Sequence, residues 1–150
     1  MKKWSFMNLF GRFLIDGSVF GNAEGSWLHI KNVYPNGPSF GGANGSTRGF
    51  SRIPQDLLSK NSKLLGASAK RLLYSQQKVK SGKKIDMTSG WHIGQSNNSI
   101  YYYKEGGGAD FCSEMRIYPE SGLASVLMTN RTSFNFKRNL SKLDENFVAN

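Results

Sequence analysis

Ser75-Gln76-Gln77-Lys78 sets a hydroxyl and an amine three residues apart. On a helix that spacing brings both side chains to one face, where a serine with a neighbouring base becomes a nucleophile for acyl transfer. Further along, Lys104-Glu105-Gly106-Gly107 places a cation and a carboxylate directly before glycines, and a glycine lets another backbone lie close. Cys112 is the single cysteine, so no internal disulfide exists and a structural zinc site has too few ligands. Alternating with Phe111, it reads as an ordinary strand residue rather than a nucleophile. Two histidines complete the inventory. His29 reads as a surface strand residue and His92 as partly buried packing beside Trp91, with no catalytic triad or metal spacing around either. The expectation is no metal and no cofactor.

These residues need elements to hold them, and the patterning changes along the chain. Residues 1–36 show little periodicity, with one short strand expected at residues 27–30. From Thr47, the residues Phe50, Ile53, Leu57 and Leu58 recur at helical spacing, predicting a helix over 47–59 with Thr47 as N-cap and Pro54 kinking it or displacing its start. Leu64, Leu65, Leu72 and Leu73 suggest a second helix, with 67–77 as its regular part. A lysine-rich Ser-Gly loop over 78–84 ends the helical region.

Beyond Ile85 the period becomes that of strands. Residues 87–94, 99–104, 110–118 and 123–130 are β-favouring runs separated by Gly, Asn or Pro-Glu-Ser-Gly turn signals. Their short links imply antiparallel neighbours. In the third run Phe111, Ser113, Met115 and Ile117 share one face and Glu114 and Arg116 the other, the pattern of a half-buried strand. The fourth, Leu-Ala-Ser-Val-Leu-Met, is nearly continuous in apolar residues and reads as more central. After Thr132-Ser133, the stripe Phe136, Leu140, Leu143 and Phe147 predicts a C-terminal helix packed on the sheet. The fold class expected is α+β, an antiparallel sheet with flanking helices.

At 150 residues the chain is long enough for one domain with a real core. Asn8, Gly11, Arg12 and Asp16 interrupt the apolar start too early for a secretory signal, no apolar run is long enough for a membrane span, and a cytoplasmic setting is the default. The formal charge of +10 invites a nucleic-acid reading. The one dense basic run, Lys78, Lys80, Lys83 and Lys84, lacks the interleaved aromatics of a single-strand binder. It reads as a solvated loop, and nucleic acid is not expected as a partner.

Three stretches together resemble the serine β-lactamase-like, penicillin-binding-type hydrolases, a family that includes class C β-lactamases, carboxypeptidases and esterases. Residues 103–130 resemble that family's late strand with its Lys-Thr-Gly or His-x-Gly motif, the glycine-rich turn, a strand ending in Tyr-Pro, and the strand that closes on Thr-Asn. Ser89-Gly90-Trp91-His92-Ile93-Gly94 resembles the Leu-Gly-Trp segment just upstream, and residues 37–58 resemble the Gly-Gly turn leading into a helix. The resemblance spans roughly residues 37–130 and implies the C-terminal portion of a β-lactamase or transpeptidase-like fold, with residues 131–150 as its last helix.

It also implies roles. Lys104 matches the third motif's cation, Gly106 the glycine that lets substrate lie along the strand, and Gly107 the position whose backbone N–H joins the oxyanion hole. Glu105 stands where the family has Thr or another small residue, and a carboxylate there opposes ordinary β-lactam recognition. The family's nucleophile lies far upstream of the Gly-Gly turn at a helix start, so Ser75-x-x-Lys78 has the wrong position. Tyr34-Pro35-Asn36 likewise matches a Tyr-x-Asn motif in letters only.

The nucleophile is therefore missing from the matched region. The inherited chemistry would be acyl-enzyme hydrolysis of an amide or ester, with the chain inactive alone as a truncated or degenerate domain. Alternatives are half of a split hydrolase completed by an upstream-encoded chain, and a basic binding module. A sheet without its family's first strands would self-associate or cover its edge with residues 1–36.

Overall fold

The computed structural model describes residues 16–31, 41–108, 111–131 and 134–148. The chain divides into two units, one holding the residues up to Asn44 with Gly107–Cys112 and Thr129–Phe134, the other holding Gly45–Gly106, Ser113–Met128 and the residues from Asn135 onward.

The first unit is built on a hairpin. Asp16 accepts a bond from the Ser18 amide at 2.9 Å and caps one turn of 3-10 helix, Gly17–Val19. Then β1 (Phe20–Glu24) and β2 (Trp27–Ile30) pair antiparallel, with Glu24 opposite Trp27 across a turn that needs Gly25 at φ 57°. The expected strand at 27–30 is there. Its partner β1 arises in a stretch that looked irregular. These two strands form their own sheet rather than extending the larger one.

The second unit begins with α1 (Thr47–Leu58), capped by Ser46, whose hydroxyl accepts from the Gly49 amide at 3.2 Å. The cap is one residue earlier than expected, and Thr47 is the first helical residue. The helix also runs through Pro54, whose ring is fully buried. Asp56 then organises the descending loop by accepting from the Ser62 hydroxyl and from the amides of Lys63 (2.8 Å) and Leu64 (3.1 Å). Helix α2 covers Ala67–Leu73 only. The expected continuation to 77 fails because the Gln77 amide donates to Met87 O and its carbonyl accepts from Ile85, which turns the chain into a hairpin.

Four strands follow in the order β3 (His92–Ser96), β4 (Ser99–Gly107), β5 (Cys112–Tyr118) and β6 (Leu123–Thr129), an antiparallel meander. The run expected at 87–94 is thus a strand only from His92, Met87 contributing an isolated bridge to that residue. The apolar β6 is outermost in the order, not central, and most of its side chains are half-buried. Helix α3 (Phe136–Asp144) closes the unit, capped by Asn135. The Thr132-Ser133 signal lies outside the described residues.

Helices pack on both faces of this sheet. On one, Leu57 of α1, Trp91 and Ile117 form the buried centre, with Leu58, Leu65, Leu73, Tyr102 and Met115 around it. On the other, α3 buries Phe136, Leu140 and Asp144. Leu143 and Phe147, expected in its apolar stripe, are exposed instead, because the buried line follows the i, i+4, i+8 spacing from Phe136 to Asp144.

Candidate functional site

The pairing of β3 with β4 ends at His92 opposite Tyr103. Strand β4 continues to Gly107, so Lys104, Glu105 and Gly106 project past the last β3 pair while remaining beside β5. All three are exposed. The Lys104 ammonium donates to Gly90 O at 3.0 Å, which ties it to the turn before β3. Alternation puts Lys104 and Gly106 on one side of the strand and Glu105 on the other.

The fold itself does not demand glycine at 106 or 107. A Cβ on Gly106 would meet only the Ser113 hydroxyl, a movable group that now donates to Gly106 O at 3.3 Å. On Gly107 it would make ordinary contacts with Phe111 O and Cys112. At Gly94, by contrast, a Cβ would enter the Tyr101 ring lying across it, so that glycine is required by packing.

The other sequence candidates do not converge. Ser75 follows the end of α2, and Lys78 sits opposite Lys84 in a bridge. Residues 75–78 are not helical, the turn that would unite the two side chains is absent, and among the described residues no hydrogen bond joins them. Tyr34-Pro35-Asn36 lies outside the described residues. His29 is exposed on β2, over Gly21. His92 is half-buried, but its ring stacks on Tyr103 with centroids 5.0 Å apart. Burial pushes the Cys112 thiol up, away from a reactive thiolate. Among the described residues no group of three or more His, Cys, Asp or Glu could hold a metal ion, and no helix is long and apolar enough to cross a membrane.

Sequence reasoning missed the second polar constellation altogether. The face of β5 bearing Glu114 and Arg116, expected to meet solvent, is buried under α3: Glu114 is 3% exposed and Arg116 0%. Arg116 donates Nε to Glu114, Nη1 to Ser141 Oγ (3.0 Å) and to Asp144 Oδ2 (3.4 Å), and Nη2 to Phe136 O (3.2 Å). The Asp144 oxygen also accepts from the Tyr118 hydroxyl at 2.8 Å and from Ser125 Oγ at 3.2 Å. The guanidinium carbon lies 4.5 Å over the Tyr101 ring, a cation–π contact.

One cation thus answers two carboxylates. Burial pushes the Glu114 carboxyl above the usual carboxylate range, against the pull of Arg116. Burial also raises the Tyr118 hydroxyl, more than the nearby Arg116 lowers it, with the bond to the Asp144 carboxylate adding to the rise. The only forward signal was Asp144 itself, four residues after Leu140. This buried cluster anchors α3, whereas Lys104 and Glu105 on β4 are exposed. No protein-family model matches the chain, and neither a curated protein nor a solved structure gives a match.

Proposed function

We propose that this chain is the C-terminal portion of a serine β-lactamase-like hydrolase domain, supplying the strand along which an acyl substrate lies but performing no acyl transfer by itself. The observation that carries the reading is the projection of Lys104–Gly106 beyond the β3 pairing, with glycines at 106 and 107 that the fold does not require. A bare strand edge suits an extended substrate, and the Gly107 N–H would serve a developing oxyanion. The meander and the helix closing it support the same reading. Glu105, beside that edge, favours substrates without a carboxylate at the lysine end.

The family's route needs a serine hydroxyl beside a lysine, and among the described residues no serine hydroxyl is hydrogen-bonded to a lysine or histidine; Ser62 and Ser125 donate to Asp56 and Asp144 instead. Incubation of the purified chain with penicillin-like and activated-ester probes, followed by intact-mass measurement, should give no stoichiometric adduct. A stoichiometric label on Ser75 that Lys78→Ala abolishes would overturn the proposal.

The intact β4 edge favours one second reading, a hydrolase split between two chains. Label would then appear only when a complementary chain carrying Ser-x-x-Lys is added, and Lys104→Ala would weaken it.

A further inference from the structure

The lysine-rich segment is a built hairpin rather than a slack loop. Lys78 and Lys84 stand opposite each other in an antiparallel bridge. Above them the Val79 amide donates to Lys83 O at 3.0 Å and the Gly82 amide to Val79 O at 2.8 Å, with Gly82 at φ 83°. Below them, Gln77 bonds to Met87 O and Ile85, and the Gln76 side chain donates to Ile85 O at 3.0 Å. The backbone therefore gathers four lysines within seven residues of one hairpin.

None of them forms an ion pair among the described residues, and the segment's one carboxylate is Asp86. Lys78, Lys80, Lys83 and Lys84 are all exposed, and the ion pairs among the described residues involve Arg116 alone. Like charges directly opposite across two strands repel. At a Debye length of about 8 Å, an anionic surface against the hairpin attracts the lysines nearest it.

We propose that this hairpin docks the protein on the surface of an anionic lipid bilayer. Two features choose a bilayer over nucleic acid. The segment from Gln76 to Met87 contains no aromatic residue to stack on a base and no arginine to fork onto a phosphate. Val79, near the tip, is 43% exposed and Met87, at the base, 39%, apolar groups that an interface can cover. The contribution of a lysine near such a surface corresponds to about fivefold in partitioning, so four should amount to more than about a hundredfold.

The test is cosedimentation of the full chain with phosphatidylcholine vesicles with and without phosphatidylserine. Binding is expected only to the anionic vesicles, weakening as salt rises. Replacing Lys78, Lys80, Lys83 and Lys84 with Gln should abolish it, and the milder Lys80→Gln, Lys83→Gln pair should weaken it more than tenfold. A control exchanging the exposed Lys60, Lys63, Lys137 and Lys142 for Gln removes the same charge elsewhere and should retain most of the binding. Three outcomes would overturn the proposal: no binding to anionic vesicles at low salt, equal losses in hairpin and control variants, or tighter binding to a single-stranded oligonucleotide than to vesicles. None of these measurements depends on the acyl-transfer reading.

Discussion

The two faces of the four-stranded sheet are stabilised by different physics. Toward α1 and α2, Leu57, Trp91 and Ile117 meet through non-directional contacts, and one buried group, the Tyr74 hydroxyl, has no hydrogen-bond partner among the described residues. Tyr74 packs its ring on Tyr102 at 4.6 Å and leaves its oxygen unanswered. Toward α3, Arg116, Glu114, Asp144, Tyr118, Ser125 and Ser141 are joined by directed bonds. An apolar face accepts many fillings of the right volume, whereas a buried polar one tolerates no missing member. The first face sets how much surface is buried, and the second sets where α3 sits.

Removing Arg116 should break this contrast most severely. Arg116→Met leaves two buried carboxylates without their cation, and a loss of about 3–5 kcal/mol is expected. Urea unfolding followed by far-ultraviolet circular dichroism measures it, and a loss below 1 kcal/mol would mean that α3 is held by Phe136 and Leu140 alone.

A matched pair of tyrosine variants sharpens the comparison. Tyr118→Phe deletes a bond to a carboxylate and should cost about 1.5–3 kcal/mol. Tyr74→Phe deletes an unanswered hydroxyl and should be neutral or stabilising by up to about 1 kcal/mol. Equal effects in thermal melts would show that the two faces do not differ as described.

Alkaline titration tests the same burial from another side. Burial raises the hydroxyls of Tyr74, Tyr101, Tyr102, Tyr103 and Tyr118 above the ordinary 10.0. A raised folded-state value gives stability that is complete below the unfolded pKa and is lost as pH rises through the folded one. Melting temperature should therefore fall as pH climbs above about 10, while the tyrosinate absorbance of the folded protein lags behind that of the unfolded chain.

The smallest effect belongs to the β4 edge. Lys104→Ala gives up one exposed bond to Gly90 O and should change stability by less than about 0.5 kcal/mol. A larger loss would make Lys104 a structural tie rather than a group kept for a substrate.

Local chemistry was legible where it was sufficient. The turn residues and alternating runs from Ser99 to Thr129 disclosed three strands and their antiparallel order, since short links leave little choice. The projecting edge of β4 was not legible, because it depends on β3 beginning only at His92. The polar face of β5 misled for a general reason: an alternation of apolar and charged residues describes a strand with one wet face. It is α3, whose Phe136, Ser141 and Asp144 lie 20, 25 and 28 residues beyond Arg116, that makes that face dry. Helix α2 ended early for a similar reason, Gln77 finding its partners at Ile85 and Met87.

The Arg116 cluster also constrains how this chain can change by descent. Replacing Arg116 alone strands two buried carboxylates, and replacing either carboxylate leaves buried donors unanswered, whereas replacing all three together with apolar residues of similar volume need cost little and can stabilise. Substitutions here must accumulate in concert, so the cluster behaves as one inherited character. At exposed positions such as Lys104 and Glu105, neutral drift meets no such barrier and is checked only by whatever those residues are used for.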